Sequence, residues 1–271
     1  MRLAVLTVAS AARRAHLERQ REVLAEVAPG TARVEVFLDD EVAPGIRDPE
    51  ARTLHVPPGP HGLRVGAGRN AAAAAAIADG AELLVFLDVD CLPGPDLFAR
   101  YADTARTHPA ALLAGPVTYL ASVQRPGVAD LPFVTRPHRA RPALPPGETR
   151  TADPGEYDLF WSLSFAVTPA TWERLGGFHD GYEGYGAEDT DLAWTARTAG
   201  VPLVWTGGAD AYHQWHPVSS PPWQHLDDIL RNGAEFHRRW GVWPMGGWLD
   251  AFAAAGAIER RGAAWVRVPN A

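Results

Sequence analysis

The stretch Leu83-Leu84-Val85-Phe86-Leu87-Asp88-Val89-Asp90 constrains what this chain can fold into more than any other. Five apolar residues run without interruption, and two carboxylates follow with one valine between them. The next residues, Cys91-Leu92-Pro93-Gly94-Pro95, are rich in breakers and are expected to continue neither strand nor helix. A short apolar run bounded in this way reads as a strand buried on both faces of a parallel sheet. Alternate strand residues share a face, so Asp88 and Asp90 are expected to project together where the strand leaves the sheet. Paired carboxylates repel unless a cation neutralises them, and oxygen ligands suit Mg²⁺ or Mn²⁺. The same acids also fit a plainer arrangement, with one capping the next segment and the other solvated.

Composition enters by exclusion. With 271 residues, 46% hydrophobic and 21% charged, the chain is long enough for one large domain or two small ones. A net charge of −7 argues against nucleic acid as a partner, because such binders present a basic surface. The single cysteine, Cys91, excludes an internal disulfide and a cysteine-rich zinc site. No run approaches the roughly 20 apolar residues of a membrane span, so no integral membrane segment is expected. Met1 to Ser10 carries one basic residue and reads as a first strand rather than a secretory leader, which makes a cytoplasmic location the expectation.

Along the chain, Leu3–Val8, Arg33–Leu38 and Ala111–Tyr119 read as further strands, and Ala11–Val27 and Asp96–His108 as helices. Glu41–Gly62 is proline-rich and loop-like. Asn70 is placed to cap a helix over Ala71–Ala76, with Gly66 and Gly68 turning the backbone before it and Arg69 offered at the helix start, where anions collect. A merely solvated Arg69 is the alternative, and the glycines lack the G-x-G-x-x-G spacing of a dinucleotide site. Alternating strands and helices predict an α/β fold with a mostly parallel central sheet flanked by helices. In such sheets ligands bind beyond the carboxyl ends of the strands, where Thr7, Ala9, Asp39, Asp88 and Asp90 all stand. Residues 121–157 hold seven prolines and five arginines and read as a long flexible loop, either a lid or solubilising charge. All ten tryptophans lie from Trp161 onward; most are packing, and Trp161 and Trp215 are the candidates to stack on a sugar ring. Gln224–Trp240 and a segment ending at Ala257 read as a helical extension, 221–271, packed on the rest.

A second constellation runs from Leu175 to Trp194. Its glycines and its pair of tyrosines, Tyr182 and Tyr185, describe an irregular loop where backbone can approach a ligand closely. The loop ends in Glu188-Asp189 at the start of a helix reaching about Gly200. Helix starts favour carboxylates by ~0.3–1 kcal/mol, so capping alone would explain the acids, but not the glycine and tyrosine run before them. A carboxylate at the rim of a glycine-lined pocket suits a general base. After a strand at Val201–Trp205, His213 and His216 stand three apart and fit either metal ligands or exposed histidines.

Together these residues resemble inverting, metal-dependent glycosyltransferases of the GT-A fold, over about Leu3 to Pro217. The front half is similar to glycosyltransferase family 2, and the second constellation to the C-terminal module of the β-1,4-galactosyltransferases (family 7). Asp88-Val89-Asp90 matches the D-x-D signature, which implies that Asp88 contacts the ribose side of a nucleotide and Asp90 binds Mn²⁺ (or Mg²⁺). Gly177-Phe178-His179-Asp180 resembles the G-G-F-D-E turn. Gly184-Tyr185-Gly186-Ala187-Glu188-Asp189-Thr190-Asp191 resembles G-W-G-G-E-D-D-D. The second resemblance implies Asp189 as base, with Glu188 holding a sugar and Tyr185 and Gly186 lining its pocket. Tyr185 for Trp and Ala187 for Gly depart from the pattern and leave the transferred sugar and the acceptor open. His216, with His213 where animal galactosyltransferases have methionine, falls at the family's further metal positions. Asp39 and the Arg69-Asn70 pair fall where family 2 enzymes contact the nucleotide.

The resemblance implies one GT-A domain over 1–220, with a nucleotide-binding half at 1–120 and an acceptor and catalytic half at 158–220. The donor is expected to be a UDP-sugar, and the acceptor a hydroxyl on a glycan, peptide or small natural product. The reaction is expected to be a single displacement with inversion. Two rivals stand beside it. A nucleotidyltransferase would want a glycine-rich basic loop after the first strand, and Ala9–Arg14 has no glycine. A non-catalytic carbohydrate-binding module would use the tryptophans and leave both acid pairs without a role.

Overall fold

The computed structural model describes residues 1–269. In chain order its first half contains β1 (Leu3–Ala9), α1 (Arg14–Val27), β2 (Ala32–Phe37), β3 (Arg52–His55), α2 (Val65–Ala78), β4 (Leu83–Leu87), β5 (Cys91–Pro93) and α3 (Leu97–Thr107). The middle adds β6 (Leu112–Ala114), β7 (Val117–Tyr119), α4 (Leu131–Val134), β8 (Thr149–Thr151), β9 (Ser164–Val167), α5 (Pro169–Leu175) and α6 (Glu188–Thr198). Then come β10 (Leu203–Thr206), β11 (Ala211–His213), α7 (Leu226–Trp240), α8 (Gly246–Ala254) and the hairpin of β12 (Ile258–Arg261) and β13 (Ala264–Arg267).

The main sheet has eight strands in the order β3-β2-β1-β4-β9-β6-β10-β8, and only β9 and β8 run against the other six. The apolar run of β4 lies between β1 and β9, and its side chains divide by period two. Leu84 and Phe86 pack with the alanines of α2 and with Leu192 of α6, while Leu83, Val85 and Leu87 pack with Leu97 and Tyr101 of α3. Burial on both faces is why this strand has no polar position. The carboxyl ends of β1, β2 and β4 open to the same edge. There a smaller sheet, β5-β11-β7, turns away from the main one.

Several expectations are corrected. Cys91–Pro93 does form a strand, because β5 is an edge strand of the small sheet, where the missing N–H of Pro93 costs no ladder bond. Ala111–Tyr119 is two strands in different sheets, parted at Gly115, where a side chain would sit 2.0 Å from the Ala209 carbonyl. Helix α2 begins five residues before Asn70, so Arg69 and Asn70 are interior to it. Gly66 and Gly68 do not turn the chain; a Cβ on Gly68 would meet Leu38 at 2.7 Å and Val8 at 3.0 Å, so its absence lets α2 lie directly on the sheet. Asn70 instead accepts from the Phe178 N–H (2.9 Å) and donates to the Phe178 carbonyl (2.8 Å), binding the Gly176-Gly177 turn. Residues 121–157 are not structureless: they supply α4, the edge strand β8 and a buried arginine, Arg141. The C-terminal segment is not solely helical, since β12 and β13 follow α8. Among the described residues, no helix is long and apolar enough to cross a membrane.

Candidate active site

A two-lobed cleft lies over the carboxyl ends of β1, β2 and β4. Its first lobe encloses about 780 Å³ and its second about 670 Å³. The lobes share a waist that contains Asp88, Asp90 and His216, the side chains of Arg13 and Arg69, and the rings of Tyr185 and Trp248.

The two acids of the waist sit in the turn between β4 and β5 rather than on a strand. Buried Gln20 of α1 shapes that turn, donating to the carbonyls of Asp88 (2.7 Å) and Cys91 (2.8 Å). Thr7 is buried as well, its hydroxyl 3.0 Å from Gln20 Oε1 and 3.1 Å from the Leu87 carbonyl. The structure therefore places Thr7 behind the turn and outside the cleft. Asp39 is also outside the lining residues, its carboxylate accepting from the Ala11 N–H at 2.7 Å. Ala9 lines the second lobe. Trp161 lines the first lobe with Arg141 over its ring, whereas Trp215 lies outside both lobes.

Asp90, His213 and His216 bring ligand atoms within 4.8 Å of one another. His213 Nε2 is 3.7 Å from one Asp90 oxygen, and His216 Nε2 is 3.4 Å from the other. The small sheet makes this possible: β11 pairs with β5 so that His213 lies opposite Cys91, one residue from Asp90, and the Gln214 N–H donates to the Asp90 carbonyl at 2.6 Å. Burial pushes the Asp90 carboxyl up, but its contacts with His216 and His213 hold it below the usual carboxylate range. Burial lowers His213. An ionised carboxylate and an unprotonated imidazole are the ligand forms, so the donor set fits a divalent cation. Two imidazoles make Mn²⁺ a better match than Mg²⁺, which prefers oxygen throughout.

Arg69 joins the two acid groups of the site. Its guanidinium, buried and over the Phe178 ring at 5.1 Å, is 2.6 Å from Asp88 and 3.7 Å from Glu188. One of its nitrogens, Nη1, has no hydrogen-bond acceptor among the described residues. Glu188 and Asp189 open α6 at the floor of the first lobe, after Gly186 and Ala187, both with positive φ (94° and 80°). Burial first, then the neighbouring Asp189 charge, raises Glu188 from 4.5 to about 7. That is roughly 3 kcal/mol against ionisation, several times the ~0.3–1 kcal/mol a helix N-terminus returns to a carboxylate. Asp189 is raised too, by burial. An acid pair raised above the ordinary carboxylate range in a cleft is suited to accepting a proton.

The loop before α6 is held from the C-terminal segment. Asn232 of α7, fully buried, directs its amide N–H groups at the carbonyls of Glu183 (3.0 Å), Tyr185 (3.1 Å) and Gly186 (3.0 Å). Asp228 accepts from the Tyr185 N–H at 3.2 Å, and the Tyr185 ring stacks on His225 with centroids 4.3 Å apart. Asp191 ties α6 to α7, accepting from Tyr182, Arg239 and Trp240. Sequence reasoning missed Arg13, Asn232 and Trp248. Arg13 could have been found, because it follows β1 at a strand carboxyl end; the α7 and α8 residues carry no local signal.

No protein-family model and no curated protein matches the chain. Solved structures do resemble it. A structure of GalNAc-T7 with UDP, GalNAc and Mn²⁺ superposes with a TM-score of 0.56 at 13% identity, covering 79% of this chain and 44% of that one. Residues 1–349 of S. aureus TarS with UDP-GlcNAc give a TM-score of 0.57 at 14% identity, covering 88% of this chain and 67% of that one. The chain thus spans under half the length of the GalNAc-T7 structure. At these identities the likeness shows the fold, and the fold is the GT-A glycosyltransferase architecture expected from the sequence.

Proposed function

We propose that the chain is a metal-dependent, inverting glycosyltransferase that moves a sugar from a UDP-sugar to a hydroxyl acceptor. One observation carries this reading: a carboxylate and two imidazoles converge at the waist of a cleft whose first lobe holds a second, separate acid pair. That UDP, UDP-GlcNAc and Mn²⁺ occupy the similar structures supports the choice of donor and ion.

The division of the cleft supports the following roles for its parts. The second lobe, between Ala9, Leu38 and Leu63, takes the nucleoside; the waist takes the diphosphate; the first lobe takes the sugar and acceptor. Asp90, His213 and His216 would hold a divalent ion, which would supply Lewis-acid stabilisation to a departing diphosphate. Arg13 and Arg69 present positive charge at the same waist, which suits a diphosphate. Asp88 accepts from Arg69 through one oxygen, which leaves its second oxygen for a ribose hydroxyl. Arg69 also lies beside Glu188 and so orients it to hold a sugar hydroxyl, leaving Asp189 as the base that takes the acceptor proton as the acceptor oxygen attacks the anomeric carbon. Direct attack opposite the leaving diphosphate inverts that carbon and needs no enzyme nucleophile.

The test is a thermal-shift panel of nucleotides and nucleotide sugars, each with and without Mn²⁺, followed by turnover of the best conjugate. A ligand bound only by the folded chain at 100 times its Kd stabilises it by about 2.7 kcal/mol. Stabilisation by UDP that requires Mn²⁺ is expected. If no nucleotide shifts the melting temperature and Mn²⁺ changes nothing, the reading is wrong.

A further inference from the structure

Resting on the transferase reading above, we infer that the acceptor is an uncharged hydroxyl compound with a broad apolar face, seated in the first lobe against Trp161, Trp194, Trp243, Met245 and Trp248. Charge argues first. The acidic side chains that line this lobe beyond the waist are Asp158, Glu188 and Asp189, and among the described residues no arginine or lysine lines it there. The arginines of the cleft, Arg13 and Arg69, both stand at the waist shared with the second lobe, and Arg69 is already paired with Asp88. His213, the remaining basic group of the lobe, faces Asp90 at 3.7 Å in the candidate metal cluster. A phosphorylated or carboxylated acceptor would meet three carboxyl groups without a cation of its own.

Shape argues next. Two indoles of the wall are anchored by their polar ends, and Arg141 lies over the Trp161 ring at 4.9 Å and Arg197 over the Trp194 ring at 4.3 Å. Trp194 donates its ring N–H to Asp158, and Trp243 donates its own to the Ala263 carbonyl at 2.8 Å. Trp243 is seated directly on Gly233 of α7, where a Cβ would come within 2.9 Å of the ring. Gly186, in turn, brings the sugar loop against Met245, whose sulfur would be 3.0 Å from a Cβ there. Trp161, Trp194, Trp243 and Trp248 are each only partly buried where they line the cleft. Rigid aromatic surface that is left part-exposed in a concave site gains by covering a ligand's apolar face.

The experiment is calorimetric titration of the protein saturated with UDP and Mn²⁺. The titrants are a series of 4-nitrophenyl glycosides, the parent free sugars and the matching sugar 6-phosphates. Aryl glycosides are expected to bind about tenfold or more tightly than the parent sugars, and the phosphates more weakly than either. Val242, 46% exposed and on the lining of this lobe, offers a variant that does not threaten folding. Val242→Lys is expected to raise sugar-phosphate affinity about tenfold by supplying the absent cation. Phosphates binding as well as the aryl glycosides to the unaltered protein would overturn the inference, as would binding of neither neutral series. Failure of UDP and Mn²⁺ to bind in the first place would instead bring down the transferase reading, and this inference with it.

Discussion

Glu188 and Asp189 are neighbours in sequence, yet the fold gives them different partners, and this difference is the ground for the proposal that Asp189 is the base. Arg69 reaches Glu188, whereas the hydrogen bond that Asp189 receives comes from the Thr190 N–H at 2.8 Å. Asp189→Asn is expected to lower kcat by about 10²–10⁴-fold while leaving the Mn²⁺-dependent thermal shift with UDP intact, which initial rates and the nucleotide panel would show. A non-catalytic module would have no turnover to lose. Because the pair is raised, with Glu188 at about 7, the base is protonated in acid. The rate is therefore expected to climb with pH through a limb displaced above the ordinary aspartate range, and a kcat/KM profile on Mn²⁺-saturated protein reads it as a property of the pair. These acids were visible in the sequence because their spacing after a glycine-rich loop is unusual. Thr7 and Asp39 misled because standing at a strand's carboxyl end does not say which way a side chain turns. Thr7 turns to Gln20 and Asp39 to the Ala11 backbone.

The element that contributes most without advertising itself is α7. Its periodicity was legible as a helix, but nothing in Gln224–Trp240 says that Asn232 would grasp three carbonyls of the loop carrying Tyr185. Side-chain amides aimed at a distant backbone leave no mark on local pattern, and the same holds for Asn70, which reads as a helix cap and instead binds Phe178. Asn232→Ala leaves those carbonyls short of a buried donor, a loss of ~1–3 kcal/mol. We expect the variant to melt earlier and to lose about tenfold or more in kcat/KM, because the loop that positions Tyr185 and leads into Glu188 is no longer pinned. A circular-dichroism melt together with acceptor-saturation kinetics checks both. The longest misreading was also at this scale. Proline and arginine density made 121–157 look unstructured, whereas Arg141 from it is buried, donating to the carbonyls of Gly115 (2.8 Å) and Trp161 (2.7 Å). An arginine held by backbone carbonyls from two other segments is a tertiary fact that composition cannot report.

For the molecule as a whole, the cleft is where two sheets and the C-terminal segment meet, so the cost of its buried charge falls on global stability. Glu188 is raised from 4.5 to about 7, which means that the folded chain retains a proton the unfolded chain has released. The stability it contributes is fully present below the unfolded value and is lost as pH rises through the folded one. Other groups titrate in the same range: burial raises Asp210 to about 6 and lowers His213 and His138, and the histidines act with the opposite sign. A single melting profile therefore mixes several contributions. The difference between Glu188→Gln and the unaltered chain cancels those that do not touch this residue. Its offset reflects the lost attraction to Arg69, 3.7 Å away, and can take either sign. Its slope is fixed by linkage: the variant should gain melting temperature relative to the parent as pH rises from about 5 to about 8. A difference that stays flat, or falls, would mean that Glu188 ionises as freely in the fold as in water. In that case the first lobe would be no place to hold a base near neutrality.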